Sequence, residues 1–139
     1  MIILDTNVLS ELMRSTPAAV VANWVATHSA ANLFITTITQ AEILHGVLLL
    51  SRGRRRDAIE AAADAMFEEE FAGRILPFSS HAAHSYAEIA VARRQSGRPI
   101  SQFDAQIAAI AKSTGASVAT RNVSDFAGCG IKVIDPWQS

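Results

Sequence analysis

The sequence predicts an α/β fold in which helices cover a short, mostly parallel sheet. Short apolar runs with strand character alternate along the chain with longer segments of helical periodicity, as in a parallel sheet covered by helices. Glycine and proline residues fall between these segments, where turns belong. The chain has 139 residues, of which 50% are hydrophobic and 18% charged, so it has enough apolar material for a packed core. We therefore expect one domain spanning residues 1–139.

Five segments have the composition of buried strands, because each is short and mostly apolar. In chain order, strands are predicted at Ile2–Leu4, Leu33–Thr36, Arg74–Pro77, Ser117–Ala119 and Lys132–Ile134.

The segments between these strands have helical periodicity. Helices are predicted over Val8–Met13, Ala18–Thr27, Gln40–Leu50, Arg54–Phe71, Ala82–Ser96 and Gln102–Ser113. In Ala82–Ser96, one face is formed by positions i, i+3, i+4 and i+7 from Tyr86 to Arg93, with polar residues between them, so this helix is expected to be half exposed.

Several functional classes lack support in the composition. The longest apolar stretch, Ile43–Leu50, is far shorter than the roughly 20 residues that cross a bilayer. No secretory leader is recognisable at the N-terminus, so a cytoplasmic location is expected. Cys129 is the only cysteine, which excludes an intrachain disulfide and a thiolate metal cluster. The net charge of −1 does not by itself indicate a nucleic-acid-binding protein.

The informative feature is the position of the acidic residues. Asp5 directly follows the first predicted strand, and ligands of open parallel sheets bind at the carboxyl ends of strands. Asn122 and Asp125 follow the Ser117–Ala119 strand in the same way. Taken alone, Asp5 is better explained as the N-cap of the next helix, since Asp is a preferred capping residue.

Glu42 and Asp104 lie near predicted helix starts. Thr39 with Glu42, and Ser101 with Asp104, have the spacing of a capping box, which accounts for each acid separately. Capping does not predict that all these groups occupy positions that can share one rim of a parallel sheet. Carboxylates that converge repel each other unless a cation joins them, and oxygen ligands suit Mg²⁺ or Mn²⁺, the ions used for phosphodiester cleavage.

Together these segments resemble the PIN-domain nucleases. The resemblance is carried by Ile3–Asn7, by the helix containing Glu42, by Asp104 in an apolar helix, and by Ala119–Phe126. Their order and spacing resemble bacterial VapC-type toxins. The segments Arg52–Arg56, Phe71–Phe78 and Asp135–Trp137 look like the FitB-like subgroup.

The resemblance implies a three-layer α/β/α PIN-like fold and a metal-dependent endoribonuclease that is the toxin of a type II toxin-antitoxin system. It implies Mg²⁺ or Mn²⁺ as cofactor, RNA as substrate, and inhibition by a cognate antitoxin, a small DNA-binding protein encoded beside the toxin. The family's acidic triad matches Asp5, Glu42 and Asp104, expected as catalytic residues and metal ligands. The fourth position is Asn122 or Asp125, with Asn122 preferred as the residue nearest the metal. Thr6 and Asn7 match residues that support the first Asp.

The resemblance suggests a mechanism in which Asp5 and Asp104 hold the metal directly and Glu42 binds through water or holds a second ion. Asn122 or Thr120 would orient the attacking water or the phosphate. The cluster Arg52–Arg56 is typical of a solvated helix start balanced by nearby acids, and it also suits phosphate binding.

Two further expectations concern binding partners. The apolar helices offer more hydrophobic surface than one small sheet must cover, so a homodimer is expected. The alternative to the nuclease is a non-catalytic PIN-fold binding module that acts through a DNA-binding partner, with acids that merely cap helices.

Overall fold

Five parallel strands form one sheet in the structure, a computed structural model that describes residues 1–139. The strands are β1 (Ile2–Leu4), β2 (Leu33–Thr36), β3 (Ile75–Leu76), β4 (Ser117–Ala119) and β5 (Val133–Ile134), arranged in the order β3-β2-β1-β4-β5. All five predicted strands are present. The third and fifth are shorter than predicted, and every strand pair is parallel.

Six α-helices connect and flank the strands, and each was predicted. They are α1 (Thr6–Leu12), α2 (Ala19–Ala26), α3 (Thr37–Leu49), α4 (Arg54–Ala65), α5 (Ser80–Gln95) and α6 (Gln102–Thr114). Two helix boundaries differ from the predicted ones. Helix α3 begins three residues before the predicted Gln40, and α4 changes into a π-helical turn over Met66–Glu70. Short 3₁₀ helices at Ala30–Asn32, Val123–Phe126 and Pro136–Gln138 were not predicted, because such short runs carry too little periodicity.

The sheet separates two apolar cores, because successive strand residues point to opposite faces. On one face, Ile2 and Leu4 pack in a cluster that includes Val21 and Trp24. On the other face, Ile3 packs in a second cluster, to which α5 and α6 contribute several alanines and isoleucines. Burial on both faces explains why the strands are almost entirely apolar, and it confirms the three-layer α/β/α arrangement.

The strand order creates a crevice between β1 and β4. The chain builds the sheet outward from β1 to β2 and β3, and then returns to place β4 on the other side of β1. At such a reversal the connections after the two strands leave toward opposite faces, which opens a binding crevice at their carboxyl ends. Asp5 and Thr120 follow β1 and β4 directly, so both residues lie at this crevice.

None of the helices combines the length and the apolar character needed to span a bilayer. Cys129 is a buried free thiol.

Candidate active site

Asp5 is a buried carboxylate held by three hydrogen bonds. It is the N-cap of α1, and its Oδ1 accepts from the Thr6 amide at 2.8 Å. Its Oδ2 accepts from Thr120 Oγ1 at 2.8 Å and from Asn7 Nδ2 at 3.3 Å. The capping interpretation of Asp5 is therefore correct, and it is compatible with a position in the crevice. Only 5% of the residue is exposed, so the carboxylate is held in one orientation.

Glu42 is not part of a capping box, and that expectation was wrong. The N-cap of α3 is Thr36, whose side chain accepts from the Thr39 amide at 3.2 Å. Because Thr36 is fully buried at the end of β2, its hydroxyl is the one placed to cap the helix. Glu42 consequently lies in the second turn of α3, where Oε1 accepts from Thr6 Oγ1 at 2.8 Å. The Thr6 hydroxyl is also 3.0 Å from Thr39 Oγ1.

Asp104 lies in the first turn of α6, and its predicted cap is confirmed. The Ser101 side chain accepts from the Asp104 amide at 3.2 Å. The Asp104 carboxyl is only partly buried, in contrast to Asp5. This places the third acid at the start of a helix on the opposite face of the sheet from α1.

The three acids influence one another electrostatically. Burial raises the pKa of Asp5 to about 6, and the charges of Asp104 and Glu42 add to the rise, while hydrogen bonds from Thr120 and Thr6 oppose it. Burial also raises the pKa of Glu42, and the Asp104 charge contributes further. These acids are therefore grouped closely enough for the charge of Asp104 to disfavour ionisation of both Asp5 and Glu42.

The fourth site position involves two residues with different environments. Asn122 is exposed, and its backbone amide donates to Thr120 Oγ1 at 3.0 Å. Asp125 is exposed in the 3₁₀ helix Val123–Phe126. Burial raises the pKa of Asp104, and the Asp125 charge raises it further, so Asp125 is electrostatically linked to the other acids.

Sequence reasoning missed one charged residue of this region. Arg93 is buried on α5, and its positive charge lowers the pKa of Asp104, opposing the effects of burial and Asp125. The periodicity of α5 correctly assigned Arg93 to the inward face but did not indicate its role. An arginine at an otherwise apolar helix position was the available clue, since buried cations require partners.

A groove of about 790 Å³ leads away from the acids between α1, α3 and α4. Thr6 and Glu42 lie on its lining and Asp5 and Asp104 do not, so the groove meets the acids at Glu42. Half of the lining residues are hydrophobic, and Arg14 and Arg55 are also part of it. The ion pairs in the structure, Arg14 with Glu11 and His84 with Glu88, leave the cluster Arg52–Arg56 without a carboxylate partner.

Comparison with known proteins agrees with this geometry. The family model of the PIN domain matches residues 2–127. The chain is 38% identical over 139 residues to the plasmid stability protein StbB of Pseudomonas syringae pv. tomato, covering 100% of both chains. It is 37% identical over 138 residues to the VapC ribonuclease Y4jK of Sinorhizobium fredii, covering 99% of both. The chain belongs to the PIN-domain family. Its full-length similarity places it among the VapC-type toxins.

A solved structure supports the same assignment. The structure of FitAcB from Neisseria gonorrhoeae contains a chain that superposes with a TM-score of 0.93 at 36% identity, covering 100% of both chains. The predicted PIN-like fold is thereby confirmed.

The donor chemistry of this PIN domain fits a hard divalent cation. Asp5, Glu42 and Asp104 offer carboxylate oxygens at one crevice, and oxygen ligands are those that Mg²⁺ and Mn²⁺ prefer. In this arrangement, no three His, Cys, Asp or Glu side chains form a group close enough to hold a metal ion. The acids therefore lie at the same crevice, but their side chains are not close enough together to coordinate one ion in this arrangement.

We expect the substitution Asp104→Asn to stabilise the metal-free PIN domain at neutral pH. The folded state raises the pKa of Asp104, so above that pKa the ionised carboxylate disfavours folding. Below the unfolded pKa of about 3.9, both states bind the proton and the gain disappears. Thermal unfolding in EDTA should show a midpoint roughly 2–6 °C higher at pH 7.5 and no difference near pH 3.

The exposed Asp64 on α4 provides the control, since Asp64→Asn removes a charge outside the crevice. A gain of equal size for both variants would show that net charge, rather than repulsion among the crevice acids, limits stability.

Proposed function

We propose that this chain is a metal-dependent endoribonuclease that acts as the toxin of a type II toxin-antitoxin system. The observation that carries the proposal is the set of mutually repelling carboxylates, Asp5, Glu42 and Asp104, at the crevice between β1 and β4. Full-length similarity to a VapC ribonuclease and to the toxin FitB of Neisseria gonorrhoeae supports it. A cytoplasmic location and one domain over residues 1–139 are parts of the same proposal.

Asp5, Glu42 and Asp104 are the residues that would hold Mg²⁺ or Mn²⁺. Such an ion supplies Lewis-acid chemistry for phosphodiester hydrolysis, and it offsets the negative charge of the site and of the substrate. This role explains why a fold would retain carboxylates whose ionised forms are disfavoured in its absence.

Hydroxyl groups of the chain orient these carboxylates. Thr120 donates to Asp5 Oδ2 and Thr6 donates to Glu42 Oε1, both at 2.8 Å. Each bond stabilises the ionised form of its carboxylate and so opposes the rise that burial causes in the pKa of Asp5 and of Glu42. Asn7 Nδ2 donates to Asp5 Oδ2 and to Thr120 Oγ1, which ties the residues after β1 and β4 together.

Asn122 and Asp125 lie at the exposed margin of the site, where a substrate strand would approach. Asn122 presents an amide that can donate to a phosphate oxygen, whereas Asp125 adds negative charge toward Asp104. We therefore assign Asn122 a role in orienting the substrate. We assign Asp125 to the group of acids formed by Asp5, Glu42 and Asp104.

The purified protein, free of any partner, should cut RNA only when a divalent ion is present. We expect discrete products from total RNA in Mg²⁺ or Mn²⁺, none in EDTA, and rates at least ~100-fold lower for Asp5→Ala, Glu42→Gln and Asp104→Asn. Asp64→Asn, with its charge change on the exposed face of α4, should cut at the wild-type rate.

The decisive readout is product formation on a denaturing gel, with folding of each variant checked by circular dichroism. A folded wild-type protein that cuts no RNA under any of these conditions would favour the non-catalytic binding module that acts through a DNA-binding partner.

We further propose that the cognate antitoxin places a short helix or strand in the groove between α1, α3 and α4. The groove has apolar walls that include Ile43, Val47 and Ile59, and it starts at Thr6 and Glu42, so a bound segment would reach the acids. An arginine of that segment would then face the carboxylates. The FitAB structure of a relative, bound to a DNA fragment, supports a partner that contacts DNA.

Filling the groove should weaken antitoxin binding. Gly46 lies on the groove lining, and a Cβ added there meets no atom within 4 Å, so the backbone at this position accepts a side chain that enters the groove. The substitution Gly46→Trp introduces a large one. We expect at least a ~10-fold rise in the Kd for the antitoxin encoded by the neighbouring reading frame, measured by titration calorimetry. Ala61→Trp, on an exposed part of α4 outside the groove, is the matched control. Equal affinity for both variants would place the antitoxin elsewhere.

A homodimer is the remaining partner proposal. Leu48 and Leu49 at the end of α3 are 62% and 73% exposed, and Phe103 on α6 is 55% exposed. Large apolar side chains with this exposure are typical of a surface that a second copy covers.

The oligomeric state tests this surface directly. Sedimentation equilibrium of the wild-type protein should give twice the chain mass of 14.9 kDa. The double substitution Leu48→Lys with Leu49→Lys should give the mass of one chain, while Ala61→Lys on α4 should leave the dimer intact. A wild-type monomer would contradict the proposal.

A further inference from the structure

Arg93 is a buried arginine whose guanidinium joins two separate segments of the chain. Only 7% of the residue is exposed. Its Nε donates to the Arg98 carbonyl oxygen at 2.6 Å. Its Nη1 donates to the carbonyl oxygens of Asp125 at 2.8 Å and Ala127 at 2.9 Å, and lies 3.7 Å from Cys129 Sγ.

Both segments lead to acids of the candidate site. Arg98 lies in the connection between α5 and α6, three residues before Ser101, which caps the helix that carries Asp104. Asp125 belongs to the 3₁₀ helix Val123–Phe126, and the contacts continue to Cys129. A single side chain therefore fixes the connection before Asp104 and the turn that contains Asp125.

The charge of Arg93 has no carboxylate within ion-pair distance. Neither side-chain ion pair of the structure includes Arg93. Its N–H groups donate to backbone carbonyl oxygens instead. A buried cation without a paired anion is costly unless nearby negative charge compensates it. The carbonyl oxygens of Arg98, Asp125 and Ala127 supply the negative partial charge that satisfies the buried guanidinium.

We propose that Arg93 is a positioning residue that fixes the separation between Asp104 and Asp125, an inference that rests on the proposed nuclease function. The planar guanidinium is suited to this task because it directs several N–H donors in fixed directions, whereas a lysine ammonium presents one compact group. Without the guanidinium group, the segments around Arg98 and Asp125 are no longer held in place, while the apolar core between α5 and α6 remains.

The test compares Arg93→Met and Arg93→Lys with Arg94→Met. Arg94 is the exposed neighbour on the same helix, which makes it a matched control. Hydrogen exchange of the metal-free proteins, followed by mass spectrometry, reports on residues 96–104 and 123–129 separately from the rest of the chain. The values of kcat and KM for RNA cleavage report on the site.

For both Arg93 variants we expect faster exchange confined to those two segments, a kcat lower by about 10–100-fold, and a KM changed less than about twofold. Arg94→Met should match the wild type in every measurement. The lysine variant keeps the charge and the aliphatic stem, so it carries the test if Arg93→Met does not fold.

Two results would overturn the proposal. One is an exchange increase spread evenly over the chain with unchanged kcat per folded molecule, which describes a merely structural role. The other is a lysine variant with wild-type kcat and wild-type exchange. If the wild-type protein cuts no RNA, the proposed function fails, while the exchange data still decide whether Arg93 holds the two segments.

Discussion

The structure depends on one costly feature, a buried carboxylate placed where the sheet reverses its order. Asp5 leaves β1 at the crevice beside β4, and burial raises its pKa to about 6. Three donors surround it, from the Thr6 amide, Asn7 and Thr120, and the Thr120 bond joins residues 115 positions apart in the chain. The same bonds that keep Asp5 ionisable therefore connect the two central strands.

The charge distribution explains why the two apolar cores matter for function. The acids of the crevice disfavour one another, so the site itself lowers stability when no cation is present. Apolar clusters on both faces of the sheet offset this cost, because they bury the strands and the inner faces of the helices. Arg93 contributes the one cation that acts on Asp104 from within the protein.

Much of the fold could be predicted from the sequence, because buried strands and amphipathic helices are local patterns. The site was only partly predictable, and α3 shows why. The run Thr36-Thr37-Ile38-Thr39 offers three hydroxyls that can cap a helix, and the spacing to Glu42 favours Thr39. Thr36 is the N-cap because β2 ends there, with the Thr36 hydroxyl buried against the Thr39 amide. The end of β2 is set by its packing in the sheet, and the local sequence pattern does not show that packing. The bond from Thr6 to Glu42 and the contacts of Arg93 are non-local in the same way.

Capping and a position at the crevice are compatible for one acid. Asp5 uses Oδ1 for the amide of α1 and Oδ2 for Thr120, so the cap fixes the direction in which the second oxygen points. A helix that starts at the carboxyl end of a strand always presents free amides there, and these amides favour an acidic residue. Local capping patterns therefore recur at the same edge of a parallel sheet where ligands bind. What distinguishes a site acid from an ordinary cap is burial together with neighbouring negative charge. Asp5 has both, and these two properties become visible only when distant segments are brought together.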